Sequence, residues 1–118
     1  MAADSTKTTG GVSGGVFNEL IHAPIRFRIC GLLRNVQSAD FAAIRDSLDV
    51  GDAALSKHLK VLTNGGFVSM TKSSSLGRTD ARRISWLSLT SEGSRAFDSH
   101  LAALRAIAAG IIDTTEQE

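Results

Sequence analysis

The chain has 118 residues, 42% of them hydrophobic and 21% charged. That length fits one domain with tails, able to bury a single core without staples, and one cysteine excludes an internal disulfide and any multi-cysteine metal site. The net charge of +1 names no partner, no apolar run approaches the ~18 residues of a membrane span, and Met1 to Gly15 lacks the apolar centre of a secretory signal, so the expected setting is cytoplasmic.

Residues 1–15 are rich in Ser, Thr and Gly and predict a flexible tail. Residues 16–112 are expected to form the domain, and 113–118 a frayed acidic tail. Val16 to Ile21 is mainly apolar and suits a short helix or a partner-binding arm. Pro24 fits the first turn of a helix, where its missing N–H costs nothing. Ile25, Ile29, Leu32 and Leu33 then repeat at helical spacing. Cys30 lies inside that helix and is expected to be a small buried hydrophobe.

A second helix is predicted from Ser38 or Asp40 to Leu48, since either residue is a good N-cap. Phe41, Ile44 and Leu48 form its apolar stripe. After Asp49-Val50-Gly51, Asp52 is expected to cap a third helix from about Ala53 to Asn64. Its inner stripe is Leu55, Leu59 and Leu62, and Gly65-Gly66 ends it. The period then changes to two. Phe67 to Lys72 and Ile84 to Leu89 alternate like strands, and the basic segment Ser73 to Arg83 between them predicts a hairpin tip. Thr90 caps a last helix, with Glu92 in its first turn favourable to the dipole. Phe97, Leu101, Leu104, Ala108 and Ile111 form a stripe along it. Spanning about residues 91–109, that helix is about 28 Å long, which is long for so small a domain. Part of the stripe is therefore expected at a homodimer interface.

Charge is unevenly spread. Residues 52–83 carry Lys57, Lys60, Lys72, Arg78, Arg82 and Arg83 against Asp52 and Asp80, a net of +4, while residues 1–51 sum to zero and 84–118 to −3. Such asymmetry marks an anion-binding face. Helix, short helix, tight turn, helix, basic hairpin, helix is the order of a winged helix-turn-helix. The fold class expected is thus α+β, mainly α, with a three-helix core, a two-stranded β-wing and a long C-terminal dimerisation helix. Val50 supplies an apolar plug in the turn. At 100° per residue, Ala53, Lys57, Lys60 and Asn64 point away from the leucine stripe, with Ser56 on the flank. Small and cationic side chains let a helix sit deep in a major groove. Ser56, Lys57 and Lys60 are the candidate base readers. Lys72, Arg78, Arg82 and Arg83 suit phosphates or an adjacent minor groove.

The segment Ala54-Leu55-Ser56-Lys57-His58-Leu59-Lys60-Val61-Leu62, followed by Gly66-Phe67-Val68, resembles the recognition helix and following strand of small bacterial winged-helix regulators of the MarR and ArsR type. Ala23 to Ile29 resembles their first helix, and Leu89-Thr90-Ser91-Glu92-Gly93 their exit from the wing. The likeness spans about residues 20 to 105. It implies a homodimeric transcriptional regulator, a repressor by promoter occlusion, bound to double-stranded DNA through the third helix. Any small-molecule effector stays unidentified. The chain lacks the paired cysteines or His/Asp sets of metal-sensing ArsR members, and no cofactor or metal is expected.

No phosphate loop, serine elbow or acid pair points to catalysis. The competing reading is a winged helix used as a protein–protein module without DNA binding. That reading calls for exposed apolar residues on the third helix, where Ala, Lys, Lys and Asn stand instead. His58 is expected to pack or cap, His100 falls beside the last stripe, and His22 has no partner in the sequence.

Overall fold

The computed structural model describes residues 15–74 and 83–110. The chain runs α1 (Glu19–His22), α2 (Pro24–Arg34), β1 (Ala39–Asp40), α3 (Phe41–Leu48), α4 (Asp52–Asn64), β2 (Val68–Ser74), β3 (Arg83–Leu89) and α5 (Ser91–Ala108). The expected winged helix is present. The tails at 1–14 and 111–118, and the hairpin tip at 75–82 with Arg78 and Arg82, lie outside the described residues.

Local chemistry sets the boundaries. Pro24 opens α2. The Asp40 side chain accepts from the Ala43 N–H and caps α3. Asp49 then turns left-handed with φ 56°, which an Asx side chain tolerates. Asp52 does not cap α4. Gly51 holds the N-cap position without a side-chain bond. Asp52 is the first helical residue, where its carboxylate meets the positive end of the dipole and accepts from Arg45 Nη1 at 3.1 Å. Gly66, at φ +83°, lets the chain leave α4.

The wing is one strand wider than expected. The sheet order is β1-β3-β2, all antiparallel. Ala39 pairs with Leu87 and Asp40 with Trp86. Two residues are too short for any periodic signal, so only the tertiary fold makes β1 a strand. Pairing of β2 with β3 runs from Val68↔Leu89 to Ser74↔Arg83.

The core is built from one stripe of each helix: Ile29, Cys30 and Leu33 of α2, Ile44 and Leu48 of α3, and Leu55, Leu59 and Leu62 of α4, with Ile21, Val68, Leu87 and Phe97. Burying each leucine contributes roughly 1.5–3 kcal/mol. Val50 packs against this cluster, as its role in the turn requires. Burial pushes the Cys30 thiol up to about 11, which leaves it an inert apolar filler.

The stripe of α5 differs in register from the sequence reading. Gly93, Phe97, His100, Ala103 and Ala106 are buried, while Leu101 and Leu104 are half-buried and Ala108 is exposed. The chain's own N-terminal segment lies on this helix around Ser99 to Ala103. Val16 N–H donates to Ser99 Oγ at 2.7 Å and Asn18 N–H to His100 Nδ1 at 2.9 Å. A Cβ at Gly15 would run into the Ser99 carbonyl.

Candidate nucleic-acid interface

The candidate site is the outer face of α4. Its inner leucines hold it against the core, and rotation at 100° per residue carries the remaining positions outward. Ala53, Ala54, Ser56, Lys57, Lys60 and Asn64 are all exposed. Lys72 on β2 and Arg83 on β3 are exposed as well. Among the described residues the ion pairs are Arg34–Asp98 and those of Arg45 with Asp46 and Asp52. The lysines of α4 take part in none of them, so their charge stays available to an anion.

Of the expected interface residues, Phe97 is buried beside Phe27, ring centroids 5.4 Å apart. It has little surface left for a partner. Leu101 packs partly on the core. Leu104, Ile107 and Ala108 form the more open edge, with Ile107 47% exposed. Ile111 lies outside the described residues.

Three polar features go beyond the sequence reading, the third of them extending the expected Thr90 cap. First, Arg26 of α2 donates from Nε to the Leu20 carbonyl at 2.6 Å, and its Nη1 lies 3.2 Å from His58 Nδ1 on α4. His58 is held below its ordinary range by burial, then by Arg26 and Lys57. Second, His100 is fully buried, its Nε2 3.3 Å from His22 Nδ1. Accepting from Asn18 at Nδ1 makes it neutral and a donor at Nε2, and burial lowers its pKa, followed by His22, with Glu19 opposing. Phe17 packs edge-on to His100 and tilted on His22, each centroid 4.7 Å away. Third, the wing exit is locked. Thr90 Oγ1 accepts from Gly93 N–H and donates to the Gly66 carbonyl, while Thr90 N–H donates to the Phe67 carbonyl. A Cβ at Gly93 would run into the Phe67 carbonyl, so only glycine fits at that position.

Among the described residues no three of His, Cys, Asp or Glu lie close enough to hold a metal ion. No helix there is long and apolar enough to cross a membrane.

The profile of a family described as the winged helix DNA-binding domain matches residues 25–108. The chain belongs to that family. Its members are DNA-binding domains, not enzymes. The match takes in α2 through α5, so the helix-turn-helix pair α3–α4 and the wing are its central parts. Solved structures agree. A transcriptional regulator homologue from Pyrococcus horikoshii OT3 is 25% identical over 79% of this chain and 88% of its own, with a TM-score of 0.68. The YusO protein from Bacillus subtilis is 23% identical over 84% of this chain and 67% of its own, with a TM-score of 0.66, a likeness of fold. A possible transcriptional regulator for arsenical resistance is 27% identical over 84% of this chain and 88% of its own, with a TM-score of 0.54. No curated protein matches the chain.

Proposed function

We propose that this winged helix is a homodimeric transcriptional regulator of the MarR type that binds double-stranded DNA and represses by covering a promoter. The observation that carries this is the outer face of α4, small at Ala53 and Ala54 and cationic at Lys57 and Lys60, with neither lysine in an ion pair among the described residues. In the proposed complex α4 enters the major groove. Ser56, Lys57 and Lys60 read base edges, and Asn64 lies at the rim. Lys72 and Arg83, with Arg78 and Arg82 of the hairpin tip, meet phosphates or the adjacent minor groove. The family match and the regulator relatives support this role.

The dimer would form along the open edge of α5, through Leu104, Ile107 and Ala108, continuing into Ile111. Two-fold symmetry would then set two copies of α4 about 34 Å apart, one turn of duplex.

Salt dependence tests the reading. If about six phosphates are neutralised per dimer, the plot of log affinity against log salt has a slope of about −5. A slope near zero, together with no retention on heparin, would mean that the wing and α4 serve a protein partner instead.

A further inference from the structure

We propose that Arg26 and His58 are positioning residues for the recognition helix, and that a proton on His58 releases the helix from its tie. This deepens the DNA-binding reading and rests on it.

The tie begins with a defect in the backbone. The Leu20 carbonyl would accept from the N–H of residue 24 in a continuing helix, but Pro24 has none. The Arg26 guanidinium fills that vacancy from Nε at 2.6 Å. Its position is thereby fixed, and its Nη1 is delivered to His58 Nδ1 at 3.2 Å. One planar, permanently charged fork thus joins α1, α2 and α4.

The rest of the attachment of α4 is mostly apolar. Leu55, Leu59 and Leu62 resist withdrawal of the helix but are non-directional. Among the described residues, the side-chain hydrogen bonds from α4 to other elements are Arg45–Asp52, exposed at its first turn, and Arg26–His58, part-buried at its middle. The packed leucines choose the inward face, and the second bond adds a directional restraint on the fine rotation of the helix about its axis. Side chains reach about 5–6 Å from a helix axis, so a 10–20° turn moves their ends by roughly 1–2 Å. That is enough to spoil a base contact while leaving loose phosphate contacts intact.

The tie is proton-sensitive by construction. A guanidinium only donates, so Nδ1 of His58 must be unprotonated to accept. A proton there sets two donors and two cations face to face, with Lys57 as a third charge alongside. These two, Arg26 from α2 and Lys57 from α4 itself, are the charged groups that act on His58. Burial first, and then these two charges, hold its titration below its ordinary 6.5. Below that point the released His58 adds a positive charge beside the DNA face. Non-specific attraction grows while base discrimination falls.

The experiment uses the full chain and two duplex probes, the best sequence selected from a random pool and a scrambled duplex of equal length. The ratio of affinities for the two probes is measured from pH 8 to pH 5.5. The wild type should begin to lose this ratio below about pH 6.5, by up to roughly tenfold, the size of one hydrogen bond to a charged group. His58→Gln, whose amide oxygen still accepts but does not titrate, should keep a pH-independent ratio. Arg26→Met should show the low ratio at every pH while remaining folded by circular dichroism. A pH dependence unchanged in His58→Gln overturns the proposal and points to His22 or His100. NMR supplies a reading without DNA: the Arg26 Nε–H signal should shift with the His58 titration in the wild type and stay still in His58→Gln, and the amides of residues 56–60 should shift further in the wild type than in Arg26→Met. An Nε–H signal that ignores the titration overturns the tie even if DNA binds. Failure to bind any duplex sinks the DNA-binding role instead, and the NMR shifts still decide the tie.

Discussion

Helices α4 and α5 have the same amphipathic period, yet the structure treats their outer faces in opposite ways. The outer face of α4 is bare: small residues and lysines, exposed, outside the described ion pairs. Much of α5 is closed by the molecule itself. The segment Gly15–Asn18 bonds to Ser99 and His100, and Arg34 clamps Asp98 in a two-pronged pair at 2.9 and 3.0 Å. A helix whose polar side chains are already engaged serves the fold, and one whose cations are left unengaged is available to a partner. Periodicity sees only the apolar stripe that both helices share.

The contrast breaks most severely at the open edge of α5. Leu104→Glu should yield monomers by light scattering and lower DNA affinity by about 10²–10⁴-fold, the avidity lost with the second copy. A variant that stays dimeric moves the interface elsewhere. Gly93→Ala strikes the closed side, because the new Cβ has the Phe67 carbonyl in its way. A loss of roughly 1–3 kcal/mol is expected from overpacking, read as a lower denaturation midpoint.

Lys57→Ala tests the open side and should separate binding from stability. Specific binding should weaken by roughly 1–3 kcal/mol with relaxed sequence preference, while thermal unfolding stays within about 0.5 kcal/mol. Unchanged binding would make this a merely solvated face.

Acid sharpens the comparison more gently. The folded pKa of His100 lies below its ordinary value, so the unfolded chain takes the proton more readily. The stability it contributes is complete above about pH 6.5 and declines as pH falls through the folded pKa. Melting at stepped pH should show the decline in the wild type and a shallower one in His100→Asn. The smallest effect is expected from Arg34→Ala, since both partners of that ion pair are solvent-exposed. The lone tryptophan, Trp86 on β3, lies in the wing and gives these titrations a fluorescence signal.

Legibility in the sequence followed range. Asp40 and Thr90 as caps, Gly66 after α4 and Pro24 at the start of α2 are choices made within one helical turn, and each stands where the residue types place it. Asp52 was misplaced by one residue because Gly51 is itself an acceptable N-cap. The leucines of α4 announce its inner face, which leaves Lys57 and Lys60 outward by geometry alone. In α5 Leu101 and Leu104 mark the flank, while Phe97, Ala103 and Ala106 face inward.

The amino-acid sequence by itself determined the order of helices and strands, the inner face of α4 and the cationic third quarter, because caps, glycines and hydrophobic period act between neighbours. Only the tertiary structure decided the third strand, the burial of His100 and the Arg26 bridge to His58. Those join residues 32 to 82 positions apart, or strands too short to carry a period, and such contacts exist only once the core has brought the elements together.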